Sequence, residues 1–200
     1  MNNCIQSMTV VLLSVLCLGR ALAQDRTFSA LTEVPLKSLE GSTVTLTRFK
    51  GRPIILEFFN PDCPFVKRAH TRDSFKALIE KAKRKGAVWL AINANAAGRQ
   101  GTGLERNRRA QKELSLDYPI LLNETGQLGR LLGATRTPEF FVFDARGNLV
   151  YRGGLDSTGG RQTPSKNVIH WLENALTEHF NNEKITHPQT KPWGCSIKYN

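Results

Sequence analysis

Cysteine is scarce in this chain of 200 residues, which has four, at positions 4, 17, 63 and 195. No two of them form a Cys-x-x-Cys pair, because Val66 stands three positions after Cys63. The sequence therefore excludes a dithiol centre built from adjacent cysteines. Histidine is also scarce, and the four histidines, at positions 70, 170, 179 and 187, lack the spacing of metal ligands. We predict no metal site.

Long apolar runs are few. Residues 8–19 form an apolar run that is shorter than the roughly 20 residues of a membrane-spanning helix. Residues 21–23, Ala-Leu-Ala, follow as a small-x-small cleavage site, although no lysine or arginine precedes the run. We expect residues 1–23 to be a cleaved signal peptide, which implies export to a periplasmic or extracellular compartment. Residues 24–181 are expected to form one soluble domain, with residues 182–200 as a C-terminal tail.

Acidic residues are outnumbered: 17 Asp and Glu stand against 28 Lys and Arg, for a net charge of +11. The basic residues are densest in residues 81–85 and 99–109. The chain has no motif that interleaves aromatic and basic residues, and the expected export also argues against nucleic-acid binding. We interpret the basic residues as a solvated surface, which could meet an acidic partner.

The most informative segment that is present lies around Cys63. Residues 54–59, Ile-Ile-Leu-Glu-Phe-Phe, predict a central strand, and Pro64 stands at an expected first helical position. Apolar residues then recur at helical spacing as far as Gly86, which predicts one continuous helix. A thiol at the start of a helix, with basic residues at positions 67 and 68, is favoured in its thiolate form. Thiolate is the nucleophilic form of cysteine, so the segment indicates thiol redox chemistry.

The remaining pattern predicts an α/β fold with a mixed sheet. The predicted strands are residues 43–47, 87–93, 118–122, 140–144 and 149–152, the last two as a hairpin, and the predicted helices are residues 104–114, 126–132 and one capped by Ser165 that includes Val168 and Ile169. In such sheets, sites lie beyond the carboxyl ends of strands, where Cys63 stands.

Four segments together resemble the thioredoxin-fold peroxiredoxin-like family, of the alkyl hydroperoxide reductase/thiol-specific antioxidant type. They are residues 60–67 (Asn-Pro-Asp-Cys-Pro-Phe-Val-Lys), 133–144 around Thr137-Pro138, 147–153, and 192–198 with a Gly-Cys-x-Ile-Lys motif. The resemblance implies a thioredoxin-like fold, a central mixed sheet flanked by helices, with an N-terminal extension and a C-terminal tail. It also implies a cis bond before Pro138, which would face Cys63.

By the same resemblance, the chain is expected to be a thiol oxidoreductase with Cys63 as its nucleophile. The substrate would be a peroxide or a protein disulfide, and an external thiol would be the reductant, with no cofactor. Cys195 is the only internal partner for Cys63 in the mature chain. It could resolve a sulfenic acid, form a static disulfide, or lie in a tail that packs far from Cys63.

Several residues are candidates to support Cys63. Arg136 could supply a fixed cation, and Asn60 holds the place of a Thr or Ser in peroxiredoxins proper. Glu57 resembles the buried acid of thioredoxins, which can exchange protons with a nearby thiol, unless its carboxylate reaches water at a sheet edge. His70, two turns into the predicted helix, is expected at the surface.

Two alternatives come from other functional classes. One is a non-catalytic thioredoxin-fold binding module. The other is a copper-binding protein of the same fold, although the paired cysteines of such proteins are absent here. The oligomeric state stays open.

Overall fold

The computed structural model describes residues 30–161 and 167–200. The strands are β1 Leu36–Ser38, β2 Thr43–Val44, β3 Ile54–Phe58, β4 Val88–Asn93, β5 Ile120–Leu122, β6 Arg136–Thr137, β7 Glu139–Phe143, β8 Leu149–Gly153 and β9 Cys195–Ser196. The helices are α1 Pro64–His70, α2 Asp73–Arg84, α3 Leu104–Glu113, α4 Gln127–Leu132 and α5 Trp171–Phe180, with a 3₁₀ helix at Leu46–Phe49. The expected signal peptide lies outside the described residues.

Within the described residues, the main sheet has seven strands in the order β2-β1-β5-β4-β3-β7-β8. Strand β3 runs parallel to β4 and antiparallel to β7, and β4 runs parallel to β5. The predicted mixed sheet, its central strand and the β7–β8 hairpin are therefore confirmed. Strands β6 and β9 form a separate two-stranded ribbon.

The two faces of β3 divide the core, because successive side chains of a strand point to opposite sides. Ile54, Leu56 and Phe58 join one cluster of buried residues, which α4 completes. Ile55 and Phe59 join the other, together with Cys63 and the apolar faces of α2 and α5. Both faces are therefore covered, which explains why the strand is apolar almost throughout.

The predicted continuous helix from Pro64 to Gly86 is wrong, because the chain leaves helical geometry at Arg72. Arg72 has extended backbone angles, φ −83° and ψ 125°, and its guanidinium bonds to the buried carboxylate of Asp156 at 2.7 Å. The predicted surface position of His70 is wrong as well: it lies on the buried face of α1 with Val66 and Ala69, and its exposure is 3%.

The largest boundary differences from the prediction are at two elements. The strand predicted over residues 43–47 ends at Val44, and a 3₁₀ helix begins at Leu46, whose side chain is buried. The last helix begins at Trp171, and the predicted cap Ser165 lies outside the described residues. Ile169 lies before this helix, where two hydrogen bonds of 2.9 Å join its backbone to Ser157. The Ile169 carbonyl accepts from the Ser157 backbone N–H, and the Ile169 N–H donates to the Ser157 hydroxyl.

The tail after α5 returns along the body of the domain. The backbone N–H of Arg152 in β8 donates to the carbonyl of Pro188, and the N–H of Thr190 donates back to the carbonyl of Arg152. Further on, β9 pairs with β6, and Trp193 and Ile197 are buried on either side of it. The tail is thus docked onto the domain. None of the helices within the described residues is both long and apolar enough to cross a bilayer.

Candidate active site

Cys63 lies in the turn between β3 and α1. Its backbone N–H donates to the carbonyl of Asn60 at 3.0 Å, and the Asn60 side-chain oxygen accepts from the N–H of Asp62 at 2.9 Å. Pro64 then occupies the first position of α1, where the missing N–H costs no hydrogen bond. The Cys63 side chain is fully buried. Asn60 and Pro64 therefore shape the turn that carries the thiol.

The electrostatic setting of Cys63 is positive. Cys63 caps the N-terminus of α1, the first turn of that helix holds no acidic residue, and Lys67 and Arg68 follow. The N-terminal end of a helix stabilises negative charge by its unpaired N–H groups and its dipole. Cys63 therefore stands at the end of α1 where the backbone N–H groups point.

The Thr137-Pro138 bond is cis, as predicted. The Cys63 sulfur lies 3.1 Å from the Thr137 carbonyl oxygen, so this loop borders the thiol. The hydroxyl of Thr137 is buried and has no hydrogen-bond partner among the described residues.

Cys195 lies directly against Cys63. Strand β9 places Cys195 opposite Thr137, and the two sulfur atoms are 2.7 Å apart. That distance is longer than the roughly 2.0 Å of a disulfide bond, and both cysteines are free thiols here. A tail packed far from Cys63, one of the arrangements left open by the sequence, is therefore ruled out. Cys195 is half-buried, whereas Cys63 is inaccessible.

The two sulfur atoms are not equivalent in their ionisation. The pKa of the Cys195 thiol is raised to about 12, mainly by burial and then by the hydrogen bond and the negative charge of Cys63, against a smaller opposing effect of Lys198. A charge on Cys63 thus keeps Cys195 protonated.

Glu57 is fully buried on the face of β3 that Cys63 shares, so the alternative of a water-exposed edge position is wrong. Three donors surround its carboxylate: His70 Nε2 at 2.8 Å, Trp89 Nε1 at 3.2 Å and the Tyr118 hydroxyl at 3.3 Å. We call these four residues the Glu57 cluster. The Glu57 carboxylate also helps to raise the pKa of Tyr118 well above its usual range, although burial is the larger cause. The hydrogen bonds of the Glu57 carboxylate thus join it to the other three residues of this cluster.

Arg136 bonds to the loop before β6 and to the tail strand. Its guanidinium donates to the Thr135 carbonyl at 3.1 Å and to the Ser196 hydroxyl at 3.4 Å. The hydrogen bond to Ser196 therefore ties Arg136 to the tail strand β9.

Sequence reasoning missed Arg106, a residue of α3 that braces the Cys63 turn. Its guanidinium bonds to the Asp62 carboxylate at 2.8 Å and to the Pro61 carbonyl at 3.2 Å. Arg106 stood in a basic run that was interpreted as solvated surface, and no local pattern distinguishes it from its neighbours. Only the packing of α3 beside the turn reveals its partner.

Metal ligation has little support in the described part of the chain. Residues 30–161 and 167–200 contain no group of three His, Cys, Asp or Glu side chains that could hold a metal ion. His70, the histidine nearest in sequence to Cys63, is bonded through Nε2 to the Glu57 carboxylate.

Comparison with known proteins agrees with this geometry. The sequence model of the Redoxin family matches residues 23–168. Chloroplastic peroxiredoxin Q of Triticum aestivum is 31% identical over 121 residues, which are 58% of this chain and 53% of that protein. The chain thus spans about half the length of that relative.

Solved structures give the same fold. An uncharacterized conserved protein of Geobacillus kaustophilus is 29% identical, with a TM-score of 0.71 over 84% of this chain and 90% of that one. The bacterioferritin comigratory protein of Xanthomonas campestris, described for its alkyl peroxide reduction activity, is 16% identical, with a TM-score of 0.52 over 62% of this chain and 80% of that one. The second likeness shows the fold alone. Together these comparisons confirm the predicted thioredoxin-like fold.

Proposed function

Because this chain belongs to the Redoxin family, we propose that it is a thiol-dependent peroxidase in which Cys63 is the nucleophile and Cys195 the resolving thiol. The observation that carries the proposal is the 2.7 Å separation of the two sulfur atoms, with Cys63 at the N-terminus of α1. Peroxiredoxin Q, the relative found by sequence, is consistent with a hydroperoxide as the oxidant.

In the first step, the Cys63 thiolate attacks the terminal oxygen of a hydroperoxide. The O–O bond breaks, an alcohol or water leaves after taking up a proton, and Cys63 becomes a sulfenic acid. Cys63 is oxidised by two electrons and the peroxide is reduced by two. The positive end of α1 stabilises the thiolate that starts the reaction.

In the second step, the Cys195 sulfur attacks the Cys63 sulfur, the S–O bond breaks, and water leaves with the proton of Cys195. The sulfur atoms need to approach by less than an ångström to reach the roughly 2.0 Å of a disulfide. Oxidation of Cys63 removes its negative charge, one of the causes that raise the pKa of Cys195. Cys195 therefore deprotonates more readily once Cys63 is oxidised. An external thiol then returns two electrons to the disulfide.

The proposal is tested by adding one equivalent of hydrogen peroxide to the reduced protein. We expect the intact mass to fall by two hydrogens, with a single peptide pair joining Cys63 to Cys195 within one chain. Mass spectrometry under non-reducing conditions measures both. Cys63 and Cys195 that can both still be alkylated after peroxide treatment would refute the peroxidase, and a bridge that resists an external dithiol would identify a static disulfide.

We also propose that the chain is exported after cleavage behind Ala23. The support is the apolar run of residues 8–19 and the small-x-small site that follows it. In a bacterial host that secretes through the general pathway, we expect the mature protein to begin at Gln24 and to fractionate outside the cytoplasm. N-terminal sequencing measures the cleavage site, and Ala23→Arg, which should block cleavage, is the control. Full-length protein that stays in the cytoplasm would contradict export.

A further inference from the structure

The edge of β6, beside Cys63, is occupied by the protein's own tail. Strand β9 pairs antiparallel with β6 and places Cys195 opposite Thr137. The N–H of Ile197 adds a hydrogen bond to the Thr135 carbonyl at 3.1 Å. The main-chain groups at which an extended segment could pair next to Cys63 are therefore already used.

Gly194 allows the tail to come this close. A Cβ atom at Gly194 would overlap the carbonyl oxygen of Thr137, which is backbone and cannot rotate away, and would touch Pro138. Gly194 also has φ +123°, an angle that residues with a Cβ rarely adopt. Any larger residue at position 194 would have to push β9 off β6.

Anchors on both sides of Cys195 keep the tail in place. Trp193 donates its ring N–H to the Asp156 carbonyl at 2.7 Å and packs edge-on against Phe65. On the other side, the N–H of Lys198 donates to the Asn95 side chain at 2.7 Å, and the Tyr199 hydroxyl donates to a carbonyl at 2.9 Å. The tail is thus held as a fixed cover over Cys63.

We propose that Gly194 is a specificity-determining residue, because it holds the tail where it excludes polypeptide disulfides from Cys63. An extended polypeptide gains affinity by adding its main chain to a free sheet edge, and this edge is filled. A hydroperoxide needs no such edge and only has to pass the half-buried Cys195 side chain. The inference rests on the proposed role of Cys63 as nucleophile.

The excluded reaction is thiol–disulfide exchange. The Cys63 thiolate would attack one sulfur atom of the polypeptide disulfide, the S–S bond would break, and the second sulfur atom would leave as a thiolate. The product, a mixed disulfide on Cys63, accumulates where Cys195 is absent. The Cys195→Ser background therefore records each such event by the mass of the peptide that contains Cys63, which separates it from reaction at Cys4 or Cys17.

The test compares Cys195→Ser with Cys195→Ser/Gly194→Ala in the full chain, with insulin as the polypeptide disulfide. We expect the rate of mixed-disulfide formation with insulin to rise at least about tenfold in the double variant. A tenfold change corresponds to the loss of about 1.4 kcal/mol of the free energy that docks the tail. The rate at which hydrogen peroxide oxidises Cys63 should change much less between the two variants. The matched control is Gly86→Ala in the same background, because Gly86 has φ +83° but open space around its Cβ position.

If Gly194→Ala does not fold, as judged by circular dichroism, Trp193→Ala provides the second variant, since it removes an anchor without a clash. Equal insulin rates with the docked and the released tail would overturn the inference. If no variant reacts with peroxide while the tenfold difference persists, the proposed peroxidase fails and the exclusion by the tail stands.

Discussion

Cys63→Ser is expected to abolish hydroperoxide turnover, with a loss of more than about 1,000-fold, because removal of a nucleophile leaves no alternative first step. A serine hydroxyl at the same place is not ionised by a helix N-terminus and does not attack peroxide oxygen. Turnover is measured by peroxide consumption with a dithiol reductant in excess. Retained turnover would move the chemistry away from Cys63.

Cys195→Ser is the matched comparison, since it removes the other sulfur atom and leaves the first step possible. Cys63 should still react once with peroxide and then stop as a sulfenic acid, which dimedone labels. Catalytic turnover with a dithiol should be strongly reduced. If Cys195→Ser instead turns over peroxide at the wild-type rate, Cys195 is not the resolving thiol and an external thiol acts directly on the oxidised Cys63.

The core of the site was predictable because it is local in sequence. A buried strand, the Cys63-Pro64 turn and a helix follow one another along the chain, and each leaves a pattern of its own. The resemblance of residues 133–144 added the cis bond before Pro138, which lies far from Cys63 in sequence. The place of Cys195 could only be left open, because the tail has no periodicity that says where it docks.

What the sequence could not supply are the long-range polar contacts. His70 was expected at the surface, yet it shares the buried face of α1 with Val66 and Ala69, where it bonds to Glu57. Arg106 likewise stands among other basic residues, and its tie to Asp62 depends on how α3 packs. Such pairs join distant segments, so no local period reveals them.

Glu57→Ala is expected to lower the free energy of unfolding by about 3–5 kcal/mol, because it leaves several buried polar groups without a partner. His70, Trp89 and Tyr118 all direct donors at the Glu57 carboxylate, and each of the four residues is buried. The truncation also creates a cavity in the core. Urea unfolding followed by fluorescence measures the change.

Glu57→Gln is the matched control, because its amide oxygen can accept from Trp89 and Tyr118 while its NH₂ group donates to a neutral His70. We expect Glu57→Gln to lower the free energy of unfolding by about 1 kcal/mol, well below the effect of Glu57→Ala.

The same Glu57→Gln variant separates a structural role of Glu57 from a catalytic one. A general acid or base contributes about 100-fold or more, so near-wild-type oxidation of Cys63 in Glu57→Gln would identify Glu57 as a packing and hydrogen-bonding residue. A loss of that size at unchanged stability would instead show that Glu57 exchanges protons with the thiol, because the amide keeps the cluster bonded but cannot ionise.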